Sequence, residues 1–323
     1  MNSSLRIGIV FPESHGVGTG NLVTAQRWAS ILSELGHEVS LLDSTGDLDC
    51  EVLIALNAVK SFSTISRFHH QRPRGLLIVA VTGTDLNQAD TQSWHDTTMW
   101  ADHLVVLQEE AYKSLDAKLQ AKATVIVQSV SLPDRLEKSR NGDDDEKFKV
   151  CVVGHLRDEK DPMLTAQASR LLDENSRVQL YQAGAILQEK YQPLVAAEQV
   201  ANPRYHWQGE LSREEAVRLI ASCDLMVLSS TSEGGPAVIG ESVMVGTPIL
   251  ASEIDGAVGL LGPDYPGYFH PEDVEGLAEL LNRAEAEPAF LQALTEAAES
   301  RRELFDPVQE SARWSELLES SQV

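Results

Sequence analysis

The sequence predicts an α/β protein built on two doubly wound parallel sheets. Near-continuous apolar runs such as LRIGIVF (5–11), EVLIALN (51–57) and LLIVAV (76–81) read as strands buried on both faces. Amphipathic helical stretches alternate with them. The strand-loop-helix-strand pattern opens twice, at residue 5 and again at Phe148, on either side of a charged break. A chain of 323 residues is long enough for two such domains.

The first domain is expected over residues 1–137. Its first strand leads into PESHGVGTGN, a glycine-rich loop, and then into LVTAQRWASILSELG. Ala25, Trp28, Ala29, Leu32 and Leu35 share one face of that helix, and Gly36 stops it. HEVSLLD is the second strand. Gly16, Gly18 and Gly20, with Asp43, partly match a dinucleotide fingerprint. Asn21 stands where a third glycine is needed, and PESH separates the strand from the first glycine. The loop suits close backbone approach to an anionic ligand, or a plain tight turn. After EVLIALN, VKSFSTISRFHH reads as a helix with Phe62, Ile65 and Phe68 inward. Lys60, Arg67, Arg72 and Arg74 form a basic patch, or a solvated face. The strand at 76–81 runs into Thr82, Gly83, Thr84 and Asp85. Polar residues at the carboxyl end of a parallel strand face the ligand crevice, so Thr84 and Asp85 are ligand candidates. Two more units follow, HLVVLQEEAYKSL and TVIVQSV.

Residues 138–147 read as a linker, charged and without apolar periodicity. Asp143 and Asp145 imitate a DxD metal motif, but no strand precedes them, and neither a metal site nor a cofactor is expected. The second domain is expected over 148–305. Its first loop is GHLRDEKDP, followed by a helix at MLTAQASRLL. Strands at VQLYQAG, YHWQG and DLMVLSS alternate with helices at ILQEKYQPLVAAEQV and SREEAVRLIASC. A short strand near 267–269, helices from about 273 to 303, and a break at Asp306-Pro307 complete it. Residues 306–323 contain a last helix with Trp314 and Leu317.

Residues 229–251, SSTSEGGPAVIGESVMVGTPILA, carry the clearest chemistry. An apolar strand leads into small polar residues, Glu233, Gly234, Gly235 and Pro236. A helix follows from Ala237, with Val238, Ile239, Val243 and Met244 spaced for one face and Glu241 in its first turns. Gly246 and Pro248 end it. A helix N-terminus offers unpaired N–H groups and the positive end of the dipole, which suit a phosphate. Ionised carboxylates are acceptors and suit sugar hydroxyls. Glu233 and Glu241 beside that terminus therefore describe a site for a nucleotide sugar. For Glu241 alone, a favourable charge near a helix N-terminus is the simpler reading, worth about 0.3–1 kcal/mol.

Composition narrows the function classes. Net charge is −23, which argues against nucleic acid and anionic membrane surfaces as partners. Residues 1–140 carry −4 of it and residues 141–323 carry −19, while six of the nine histidines lie in the first part. The nearly balanced first half could draw a small anion, or could simply be solvated. No apolar run approaches the roughly 20 residues of a membrane span. The N-terminal run lacks a signal-peptide pattern, so a cytoplasmic location is expected. Cys50, Cys151 and Cys223 lie in or beside apolar runs without metal spacing and read as buried reduced thiols.

With its E-x7-E spacing at Glu233 and Glu241, the chain resembles the retaining GT-B glycosyltransferases, in particular family 4. The resemblance implies two Rossmann-like domains facing a cleft, with the terminal helix returning to the first domain. It implies Glu241 on the ribose hydroxyls and Glu233 on a donor-sugar hydroxyl. The turn Gly234–Ala237 would meet the donor with its backbone, one N–H short because of Pro236. Against the family pattern G-R-x4-K, Gly154 and Lys160 match, and His155 replaces the arginine. Without a metal, the diphosphate leaving group needs fixed cations. Lys160 is expected to contact it, with Arg157 standing in for the missing arginine. Both would otherwise be solvated loop residues pairing with Asp158, Glu159 and Asp161.

A narrower resemblance runs through TGNLVTAQRWASILSELGHEV, VTGTDLNQ, ADHLVVLQ, TVIVQSV, VVGHLRDEKDP and SEGGPAVIGESV. These segments look like the selenosugar synthases of selenoneine biosynthesis, of which GHLRDEKDP with its His155 is a feature. That implies transfer of a sugar from a UDP-sugar, of the UDP-N-acetylglucosamine or UDP-glucose type, to selenophosphate, forming a carbon–selenium bond. It also implies a functional link to selenophosphate-producing and selenoneine-forming enzymes. Selenophosphate is an ionised nucleophile near neutral pH and needs no general base. Acceptor-side candidates are Gly18, Thr19, Gly20, Asn21, Thr24, Arg27, Lys60, Thr84 and Asp85. Alternatives are a family-4 enzyme with a sugar or lipid alcohol acceptor, a sugar-nucleotide epimerase, and a non-catalytic UDP-sugar-binding protein.

Overall fold

Strands that read as unbroken apolar runs become the central strands of two sheets. The computed structural model describes residues 4–12, 20–44, 46–83, 85–133 and 147–321. The chain forms two units, one of residues 1–129 with 307–323, the other of residues 130–306.

In the first unit, β1 (Arg6–Val10), β2 (Glu38–Leu42), β3 (Val52–Leu56), β4 (Leu76–Val81), β5 (His103–Val106) and β6 (Ala123–Val125) form one sheet. Its order is β2-β1-β3-β4-β5-β6, and the pairs are parallel. Alternate side chains along each strand build two cores. On one face Ile7, Ile9, Ile54 and Ile78 pack with Trp28 and Leu32 of the helix Gly20–Glu34 and with Trp314 and Leu317 of the helix Pro307–Ser320. On the other, Val10, Leu53, Ala55 and Val79 pack with Ile65 and Phe68 of the helix Phe62–Gln71.

The last helix is held by polar as well as apolar contacts. Trp28 and Trp314 meet edge to face at 4.9 Å. The Glu310 carboxylate is buried and accepts from Trp28 Nε1 (2.7 Å), Ser129 N (2.8 Å) and Ser129 Oγ (2.6 Å), with Arg27 Nε at 3.3 Å.

In the second unit, β7 (Phe148–Val153), β8 (Val178–Ala183), β9 (Tyr205–Trp207), β10 (Leu225–Leu228), β11 (Ile249–Ser252) and β12 (Tyr268–Phe269) form a sheet of order β12-β11-β10-β7-β8-β9, again parallel. From β7 the sheet is extended by β8 and β9 on one side and by β10, β11 and β12 on the other. The switch point falls between β7 and β10, and the loops at their carboxyl ends border the crevice where such sheets bind ligands.

Several expectations change. The first unit ends at Ser129, ahead of the 137 boundary, because the Val130 N–H bonds to Phe305 O within the second unit. The helix at 163–172 shortens to Leu164–Ser169. The helix read from Ile186 begins at Tyr191, so Pro193 falls in its first turn, where its missing N–H costs nothing. Ile186 instead bridges to Leu156. The helices Gln92–Trp100 and Asp255–Leu261 were not expected. Linker residues 138–146, with Asp143 and Asp145, lie outside the described residues.

Candidate active site

The loops at the switch point of the second unit are tied to each other. After β7 the chain passes Gly154 and makes a short turn at Asp158–Lys160, and Asp161 closes it with a left-handed φ of 39°. After β10 come Ser229, Ser230 and Thr231. Ser229 Oγ donates to the carbonyls of Lys160 (2.9 Å) and Asp161 (3.1 Å), and Thr231 N–H donates to Glu159 O at 2.9 Å. Lys160 is thereby fixed at the carboxyl edge of the sheet. A small recess there is lined by Gly154, Lys160, Gln182, Ser229 and Ser230, among others.

Lys160, which lines this recess, also meets Glu233. Lys160 Nζ pairs with Glu233 Oε1, and Ser230 Oγ donates to the same oxygen at 2.8 Å. The two paired side chains are 19% and 12% exposed. Glu233 is held from behind by Gly256. A Cβ on Gly256 would lie 2.3 Å from the Glu233 carbonyl oxygen, so only glycine permits this approach.

The helix Ala237–Val245 starts after Pro236, which has no side-chain cap, and ends at Gly246 with φ 74°. Glu241 is 6% exposed, and Arg213 Nε donates to its Oε1 at 3.2 Å. Arg213 opens the helix Arg213–Ser222, whose Ser212–Glu215 capping box sets where it begins. Glu233 and Glu241 thus each face a cation.

Three residues of the first loop take other positions. Arg157 is half-exposed with its Nε 3.8 Å from Glu159, so the arrangement is the solvated loop pairing rather than a cation in the recess. His155 Nδ1 accepts the Ala185 N–H at 3.1 Å, which ties its loop to the chain after β8. Asp158 pairs with Lys190 and accepts from Tyr191 OH at 2.8 Å, and the Lys190 hydrogen bond, then the Tyr191 one, holds its pKa down. Gly184 follows β8 with φ 150°, and a Cβ there would lie 2.0 Å from Gly154 O. Burial, then the Glu272 charge, raises the Asp161 pKa.

In the first unit the acceptor-side candidates divide. Gly18, Thr19 and Thr84 lie outside the described residues. Asp85, expected to touch ligand, is corrected: it is 0% exposed, and its oxygens accept from Asn57 Nδ2 (2.8 Å) and Ala58 N–H (2.7 Å). Burial pushes its pKa up to about 6. It holds the turn after β3, where Asn57 adopts a left-handed φ of 68°. Arg27 is corrected too, because its Nε faces buried Glu310. Thr24 is buried; it donates to Gly20 O and accepts from Gln128 Nε2 at 2.8 Å. Gly20 and Asn21 start their helix, and Lys60 is exposed beside the Asn57 turn.

Sequence reasoning missed Arg213, Ser229, Ser230 and Gly256. Ser229 and Ser230 stood in the right stretch as small polar residues. Arg213 and Gly256 are remote in sequence from what they touch, and no spacing marks them. Among the described residues, no group of three or more His, Cys, Asp or Glu side chains could hold a metal ion, and no helix is long and apolar enough to cross a membrane.

Two parallel six-stranded sheets with alternating helices, the second with cations and carboxylates at its switch point, define a protein of the GT-B fold. The structure resembles that of Anabaena HepE, solved in complex with UDP and glucose (TM-score 0.74, 17% identity, covering 98% of this chain and 100% of that one). It also resembles sucrose-phosphate synthase from Thermosynechococcus elongatus (TM-score 0.76, 16% identity, 98% and 99%). Residues 134–301 match the family model of glycosyl transferases group 1, which covers more than half of the chain. The chain belongs to the glycosyl transferases group 1 family. TuaC of Bacillus subtilis, assigned as a teichuronic acid biosynthesis glycosyltransferase, is 25% identical over 177 residues, or 53% of this chain. The match spans 45% of TuaC, less than half of that relative's length.

Proposed function

We propose that this chain moves a sugar from a UDP-sugar to selenophosphate without a metal ion, forming a carbon–selenium bond. The observation that carries the donor half is the Lys160–Glu233–Ser230 cluster at the switch point, with Glu241 and Arg213 in the same unit. Lys160 binds the diphosphate and stabilises the charge it gains as it leaves. Glu233 accepts from a donor-sugar hydroxyl, and Glu241 from the ribose. The Gly234–Ala237 turn meets the donor with its backbone. The HepE complex with UDP and glucose supports a uridine nucleotide sugar as the donor.

The acceptor half rests on the likeness of the GHLRDEKDP and VTGTDLNQ segments to selenosugar synthases, and on the near-balanced charge of the first half. The selenium electron pair attacks the anomeric carbon. The carbon–oxygen bond to UDP breaks, and UDP leaves with the electron pair of that bond. Gly20, Asn21, Thr24 and Lys60 are the acceptor candidates left among the described residues. The enzyme would act in the cytoplasm, between enzymes that make selenophosphate and enzymes that build selenoneine.

Purified protein is to be incubated with UDP-N-acetylglucosamine or UDP-glucose and selenophosphate, with and without chelator, and products weighed by mass spectrometry. UDP release that needs both substrates and survives chelator, with a seleno-sugar product, is expected. Turnover with a sugar or lipid alcohol alone would reassign the acceptor. Donor epimerisation, or binding without turnover, would overturn the transferase reaction.

A further inference from the structure

The cation meant for the leaving group is already matched to an anion. Lys160 pairs with Glu233 where both side chains are largely shielded, so their attraction is screened less than that of a surface pair. Neither partner can drift away with its backbone. Ser229 holds the Lys160 carbonyl, and Gly256 packs against the Glu233 carbonyl. Ser230 Oγ further anchors the carboxylate.

Two ligands meet this pair differently. A nucleoside diphosphate competes with Glu233 for Lys160, is repelled by the carboxylate, and offers it no donor in return. A nucleotide sugar meets the same repulsion, but its sugar hydroxyls donate to Glu233 in charge-assisted hydrogen bonds. We infer that the Lys160–Glu233 pair makes the site select the intact nucleotide sugar over the nucleoside diphosphate, and so favours release of the spent nucleotide. This rests on the donor reading above.

The test is calorimetric titration of the full chain with UDP and with UDP-glucose and UDP-N-acetylglucosamine. The proteins are wild type, Glu233→Gln, Lys160→Met and the double variant. Glu233→Gln should bind UDP roughly tenfold tighter, while the UDP-sugars gain less or weaken. The double variant should bind UDP no tighter than Lys160→Met, because the gain acts through Lys160. A folded Glu233→Gln protein with unchanged or weaker UDP binding overturns the inference, as does tightening that persists without Lys160. If Glu233→Gln does not fold, Glu233→Asp retracts the carboxylate and should shift UDP binding the same way by a smaller factor; no shift overturns it. Wild type that binds neither UDP nor a UDP-sugar removes the donor reading as well. Normal wild-type binding with an unmoved UDP to UDP-sugar ratio removes this inference alone.

Discussion

Arg213 contributes through the residue it touches. Its Nε reaches Glu241, a carboxylate 6% exposed that the proposed reaction places on the ribose. Removing the guanidinium leaves that carboxylate without this cation and less fixed in direction. Arg213→Ala is expected to raise KM for the UDP-sugar about fivefold to tenfold with little change in kcat, and Arg213→Lys to recover part of it. Steady-state kinetics on the three proteins check this, and an unchanged KM would remove Arg213 from the site. Asp85 makes a different prediction. Its folded pKa of about 6 lies above the ordinary value of 3.8 because the group is buried. The folded state therefore holds the proton more tightly than the unfolded chain, so this stabilising contribution is full below about pH 4 and is lost as pH rises through 6. The melting temperature of wild type minus that of Asp85→Asn should fall between pH 4.5 and 7.5 in scanning calorimetry resolved to about 1 °C; a constant difference contradicts it. Motif spacing singled out Lys160, Glu233 and Glu241 in the sequence, and the structure pairs the first two with each other. Asp85 was misread because burial at the end of β4 is not a property of its local sequence.

At the scale of elements, the strands were legible and two helices were not. Asp255–Leu261 reads DGAVGLL, and its glycines lower helix propensity and blur the apolar face. Gln92–Trp100 is mostly polar, and its start is marked by the Thr91 cap rather than by periodicity. The glycine that hid the first helix is the one that lets it reach the Glu233 loop. Gly256→Ala would set a methyl group 2.3 Å from the Glu233 carbonyl oxygen. The loop must shift, and Glu233 with it. UDP-sugar turnover is expected to fall roughly a hundredfold, while Val258→Ala, at a half-buried position on the same helix, serves as control. Equal effects of the two substitutions on turnover would show that the contact does not position Glu233.

For the whole molecule, the −19 charge of residues 141–323 and the near balance of the first half were readable in the sequence, as was the presence of two α/β domains. The polar tie of the last helix was not, because Glu310 lies more than 180 residues from Ser129 and more than 280 from Trp28. Glu310→Ala leaves Arg27 beside an emptied site and removes acceptors from Trp28 and Ser129. A loss of about 3–5 kcal/mol is expected from urea unfolding followed by tryptophan fluorescence. A loss below about 1 kcal/mol, the range of an exposed pair, would mean that the buried cluster adds little.

The first unit is made of two separated stretches of chain, with residues 130–306 running between them. A ribosome therefore releases the second unit whole before the first can close. Until residues 307–320 emerge, Trp28 and the sheet face beneath it have no cover from Trp314 and Leu317. The nascent chain carries that apolar face while about 180 further residues are synthesised, roughly 9–36 s at 5–20 residues per second. The interval is one in which a chaperone can act, and in which a prematurely terminated chain would aggregate through its N-terminal portion.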